Sequence, residues 1–194
     1  MAVQARIRNS LALTLLAAGC AGGPEVPDWQ QNAAQAMGAF QQGYLIGETA
    51  SAERNFEETR RNLKRTGRAD LLARAELARC AVRVAALEFD DCPGFQALRA
   101  EAGPAESAYA DYLSGKGAHK GDESPLSRLV AAGVKFRKAE ISPIEIAAAV
   151  DISSAQGWAR PLLAWLGVQA KRAEDAGDRE GAARIRRRMD LISR

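Results

Sequence analysis

The chain has 194 residues, 47% hydrophobic and 26% charged, with 27 basic against 24 acidic residues and a single histidine. That length suits one domain with a sizeable core. The near balance of charge gives no reason to expect a nucleic-acid partner, and one histidine without a Cys-x-x-Cys pair leaves no nitrogen and sulfur cage for a metal.

Arg6 and Arg8 precede an apolar run from Leu11 to Ala18, with Gly19 and Cys20 after it. A spanning helix needs about 20 apolar residues, so this shorter run fits a signal h-region, and Ala17, Ala18 and Gly19 supply the small flank a signal peptidase requires. The segment resembles the lipobox of bacterial lipoprotein precursors, although Ala17 stands where leucine is usual. The resemblance implies a signal peptide over 1–19 and cleavage before Cys20. It also implies a covalent lipid on Cys20, diacylated on sulfur and acylated on nitrogen, as the only attached group. Ala21 in place of Asp implies the periplasmic face of the outer membrane. At about 0.8 kcal/mol per buried methylene, three acyl chains would anchor the chain permanently.

Cleavage leaves 175 of the 194 residues, with 25 basic against 24 acidic. Residues 20–27 read as a lipidated tether, since Gly22, Gly23, Pro24 and Pro27 favour extended chain. Residues 28–194 read as a single helical domain. With Cys20 lipidated, Cys80 and Cys92 remain as an even pair in an oxidising compartment, and a disulfide is expected. Its loop of about 13 residues corresponds to roughly 3 kcal/mol in the chain-entropy account.

From Asp28 onward, turn signals punctuate helices. Asp28 with Gln31 reads as a capping box opening a helix over about 29–48, whose apolar line is Ala33, Met37, Phe40 and Tyr44. A second helix, about 51–65, carries Ala52, Phe56, Thr59 and Leu63 in line, with Gly67 as its left-handed stop. The third, about 69–89, shows a broad small and aliphatic face from Leu71 to Phe89 through Ala75, Ala78, Val82 and Ala85. Such a face packs against more than one neighbour, so this is the expected central helix. Asp90 to Gly94 breaks it. Short helices follow over 95–102 and, with Pro104 at the first position, 104–113. Residues 114–123, with three glycines, two lysines and His119, read as a loop.

Ser124-Pro125 starts the next helix, with Leu126, Leu129, Val130 and Val134 buried. Ser142-Pro143-Ile144-Glu145 combines a cap, a first-position proline and a returning glutamate, and opens a helix over 144–152. Residues 158–176 form another, which Pro161 starts or kinks. Gly177-Asp178 closes it and caps the last helix, whose apolar line is Ala182, Ile185, Met189 and Ile192. No strand-like alternation of useful length occurs, so the fold is expected to be all-α. The segments around Ala52, Phe56 and Gly67, and around Gly177, Ala182 and Ile185, resemble tetratricopeptide hairpins, though without a 34-residue period. A tetratricopeptide-like array and an irregular helical bundle both remain open.

No catalytic residues are assigned. His119, the only base for a Ser-His or Cys-His arrangement, lies in a glycine-rich stretch and reads as a solvated loop residue. Asp90 with Asp91, or Glu101 with Glu106, are the paired acids that glycan hydrolysis would use, but the first pair reads as a turn cap. The possible partner surface consists of Trp158 and Trp165, seven residues apart on one helix face and otherwise core, together with Arg184, Arg186, Arg187 and Arg188. The expected role is a non-enzymatic, lipid-anchored periplasmic adaptor or assembly factor that binds an envelope protein. The alternatives are a peptidoglycan-acting enzyme or its modulator, and a helical domain binding a small ligand.

Overall fold

The computed structural model describes residues 26–193. The lipobox and Cys20 lie outside them. Among the described residues the structure is all-α: α1 (Asp28–Ile46), α2 (Thr49–Lys64), α3 (Ala69–Ala85), α4 (Pro93–Gln96), a 3-10 turn (Arg99–Glu101), α5 (Pro104–Leu113), α6 (Pro125–Arg137), α7 (Pro143–Ala155), α8 (Ala159–Asp175) and α9 (Arg179–Ile192).

The first two helices form an antiparallel hairpin. Gly47 turns the chain at φ +98°, a left-handed conformation open to glycine at no steric cost. The apolar line expected of α2 is fully realised, with Ala52, Phe56, Thr59 and Leu63 all buried, and the Phe40 and Phe56 rings meet at 5.0 Å. The start of α1 corrects the expected capping box. Pro27 occupies the N-cap and Asp28 is already helical, so its side chain caps nothing, and Gln31 Nε2 donates instead to the Val26 carbonyl at 3.1 Å. Asp28 still favours the helix through its charge in the first turn.

As its sequence suggests, α3 occupies the centre, touching α1, α2, α5 and α6. It ends at Ala85 rather than Phe89, because Leu87 adopts φ +60° and Glu88 N–H donates back to the Arg83 carbonyl at 2.9 Å. Leucine gives no sequence signal for that geometry. The crossing of α3 and α6 depends on Gly133: a Cβ there would lie 2.2 Å from the Val84 carbonyl oxygen. The expected helix over 95–102 divides into α4 and the 3-10 turn, and α7 runs three residues past its expected end.

One core cluster runs from Ala33 to Leu166. Consecutive helices α6 to α9 each pack on the next, and the expected turns at Gly67 and Gly177 both form, with φ of +66° and +77°. Two contacts between distant elements, α3 with α6 and α1 with α8, tie the halves together. Arg160 of α8 makes the second: its guanidinium donates to the Tyr44 carbonyl at 2.7 Å, to Glu88 at 3.2 Å and to Thr49, and lies over the Tyr44 ring at 4.3 Å.

Candidate functional site

Small side chains on two helix faces create the main surface feature. On α1, Gln30, Ala33, Ala34, Met37 and Gln41 share one face, and on α3 Leu71, Arg74, Ala75, Ala78 and Ala81 do the same. The space between and above them is not filled. Its first part, about 440 Å³, runs from Trp29 along Ala33, Ala34, Met37, Leu63 and Leu71. The second, about 340 Å³, continues past Leu77 and Ala81 to Ala105, Tyr109, Leu126 and Val130 of α5 and α6. Arg74 and Ala78 line both parts, so they form a single groove along α3. Both volumes fall within the roughly 300–1,000 Å³ of ligand pockets.

The polar groups of the groove are few and placed at its middle and ends. Arg74, 61% exposed at its side chain, donates through Nε to Glu106 at 2.7 Å across the second part. The Glu106 carboxyl is held below its ordinary value by its own backbone amide, by Arg74 and by the Gly103 amide. At the far end Tyr109 is pushed up to about 12, chiefly by burial, with Tyr112 and Asp122 adding to the shift. His119 is exposed, with its ring edge on Tyr109 at 4.7 Å and Tyr112 at 5.3 Å away. No hydrogen bond joins it to a serine or a carboxylate among the described residues, so no Ser-His or Cys-His arrangement is assembled around it.

The second polar cluster lies at the other end of α3. Cys80 and Cys92 form the expected disulfide, with Cα atoms 5.7 Å apart. Cys92 sits at φ +49°, held by its amide donating to Asp90 Oδ1 at 2.8 Å, while Arg83 pairs with Asp90 at 3.2 Å. Asp90 thus acts as the turn cap, whereas Asp91 is 95% exposed. Asp90 also lies close to both sulfurs, which are bonded to each other and offer no thiolate to a metal. Beside this turn Glu76 is buried, its carboxylate 3.1 Å from Arg60 Nε and pressed against Gly94. Burial pushes its carboxyl above the ordinary value, against the attraction of Arg60 and Arg79. Two cavities adjoin this turn, one of about 100 Å³ beside Glu76 and Arg83 and one of about 400 Å³ over Asp90, Asp91, Arg99 and Asp111, and neither has an aromatic lining.

The residues named from the sequence as a possible partner surface divide between the core and the surface of α9. Trp165 is fully buried, packs edge-on against Phe136 at 5.8 Å, and donates through Nε1 to the Ala85 carbonyl at 3.1 Å, satisfying a carbonyl at the end of α3. Trp158 is 9% exposed and forms the N-cap of α8. Both tryptophans are core residues, the first of the two readings their spacing allowed, and neither presents an exposed anchor. The arginines are exposed on α9, where Arg186 pairs with Glu174, Arg184 lies 3.9 Å from Glu180 and Arg188 donates to Ser154 at 3.2 Å. None of them lines the groove.

The groove itself was missed in the sequence. Its signal was the alanine content of the α1 and α3 faces, which reads equally as close helix packing. Compared with known proteins, the chain matches no family model, no curated sequence and no solved structure. No helix among the described residues is long and apolar enough to cross a membrane.

Proposed function

We propose that this chain is an envelope adaptor, anchored by lipid on Cys20 to the periplasmic face of the outer membrane, whose α1–α3 groove receives an amphipathic helix of a partner envelope protein. The observation carrying the reading is the groove: apolar on its floor, open along its length, with the exposed guanidinium of Arg74 at its middle and that of Arg68 at its end. From Leu71 to Ala81 it follows almost three turns of α3, about 15 Å at 1.5 Å per residue. A helix presenting apolar residues at i, i+3, i+4 and i+7 would match that length, and a carboxylate beside them would meet Arg74.

The groove also has the volume for a small apolar ligand, which favours ligand binding as the second reading. A photo-reactive residue at Ala34, introduced into the chain in intact cells, separates the two. Capture of one envelope protein is expected, lost on Ala78→Trp, unchanged on Arg187→Glu, and reduced when Cys20→Ser releases the chain from the membrane. Capture of no protein, together with a small molecule co-purifying with the wild-type chain and absent from Ala78→Trp, would establish the ligand reading instead.

A further inference from the structure

The groove opens at one end of the molecule, and that end has its own chemistry. The start of α1, the end of α2 and the start of α3 meet there, since Trp29, Leu63, Arg68 and Leu71 line the same part of the groove. Across this end runs Arg61-Asn62-Leu63-Lys64-Arg65-Thr66-Gly67-Arg68, four cations in eight residues without an acidic one. Asn62 and Leu63 are buried, and all four cations are exposed. Arg61 pairs with Glu58, and Arg68 pairs with Asp70 at 2.7 Å. Among the described residues, Lys64 and Arg65 have no carboxylate within ion-pair distance. Glu76, on which the Lys64 charge also acts, is buried against Arg60. Trp29 is half-buried and lines the end of the groove together with Arg68, with an apolar body and a polar edge.

We infer that this end of the domain is a membrane-contacting surface, with Lys64 and Arg65 taking the phosphates of anionic lipids and Trp29 seated at the headgroup level. The inference rests on the lipid-anchor reading for its geometry. Cys20 precedes Asp28 by eight residues, so at full extension the anchor lies at most about 28 Å from the start of α1. The end carrying the cations is therefore the one closest along the chain to the bilayer. An acyl anchor with a basic patch is a stronger attachment than either alone, because each Lys or Arg near an anionic surface adds attraction that fades within a Debye length. Lying flush on the membrane, the domain would hold the mouth of its groove at the lipid surface, so the segment it receives would come from a membrane-proximal part of the partner.

The test uses the full chain in two forms, purified with its lipid and as Cys20→Ser. The lipidated form is reconstituted into phosphatidylcholine vesicles with or without phosphatidylglycerol, both carrying brominated acyl chains that quench nearby indoles. Quenching of Trp29 is expected only in the anionic vesicles and is expected to be lost in Lys64→Glu/Arg65→Glu. Trp158 and Trp165, being buried, supply a constant background. The Cys20→Ser chain should sediment with anionic vesicles at low salt, and the same charge reversal should weaken that partition by about tenfold or more. Both altered side chains are exposed at the C-terminal end of α2, so thermal melting is expected to fall only slightly, and the Lys64→Gln/Arg65→Gln pair, with no acid added there, should weaken partition in the same direction. Quenching that ignores lipid charge, or partition lost with Arg187→Glu/Arg188→Glu instead, would overturn the inference. A purified chain whose mass shows no lipid, but which binds anionic vesicles through Lys64 and Arg65, would retain the surface and remove the anchor.

Discussion

The two halves of α3 do opposite work with similar residues. Its first half, from Leu71 to Ala78, buries Ala73 and puts Ala75 and Ala78 on the groove floor, where side chains this small leave the space above them open. The second half, from Cys80 to Ala85, borders the groove only at Ala81 and is otherwise held by the disulfide, by α6 crossing at Gly133, by Trp165 on the last carbonyl and by Arg83 on Asp90. An alanine stripe is thus neither a packing device nor a binding surface by itself. What lies over it decides, and here a glycine on α6 lets that helix close on one end of α3 while the groove remains along the other.

If that contrast is right, damage to the closed half should unfold the protein while damage to the open half should cost only binding. The largest effect is expected from Gly133→Val. Its new atoms would meet the backbone of Val84, which no rotamer change relieves, and a loss of about 3 kcal/mol or more is expected from overpacking. Chemical denaturation would measure it, and a loss below a third of that would mean that the helices can part at this crossing without penalty. Replacing Cys80 and Cys92 together by Ala should lower stability by about 3 kcal/mol on the chain-entropy account. Capture through Ala34 should persist at temperatures where the variant remains folded.

A smaller effect sharpens the contrast through pH. Because burial raises the Glu76 carboxyl above its value in the unfolded chain, the folded state holds that proton more tightly. The contribution to stability is therefore fully present below the unfolded value, near 4.5, and is lost as pH rises through the raised folded value. Glu76→Gln should accordingly be more stable than the wild type at pH 7 and equal to it at pH 4, read from urea midpoints. A variant less stable at pH 7 would show that the Arg60 pairing outweighs the desolvation.

Much of this architecture was legible because strong local signals agreed. The Ser142 capping box forms as read, with Glu145 accepting from the Ser142 amide at 2.8 Å. Gly67 and Gly177 end their helices in left-handed conformations, and Ala52, Phe56, Thr59 and Leu63 face the core together. The failures have physical reasons too. Asp28 preceded a helix-forming run but followed Pro27, whose φ of −58° and ψ of 141° already served as the cap. Leu87 and Cys92 adopt left-handed geometry that their residue types disfavour, so tertiary closure rather than local preference sets the end of α3. The groove was invisible because sequence shows which faces are apolar, not which of them remain uncovered.

The Arg160 clamp carries a consequence for the order of assembly. Its hydrogen bond to Tyr44 joins residues 116 apart, whereas α1 and α2 meet across a two-residue turn. Closing the longer loop adds only a logarithmic entropy term, so the contact is thermodynamically accessible, but it must wait until α8 exists and is positioned. The first hairpin can form early, with the Tyr44 carbonyl accepting only from the Gly47 amide at 3.2 Å. Arrival of α8 then completes the bundle, making Arg160 a latch that records whether the distant half of the chain has folded.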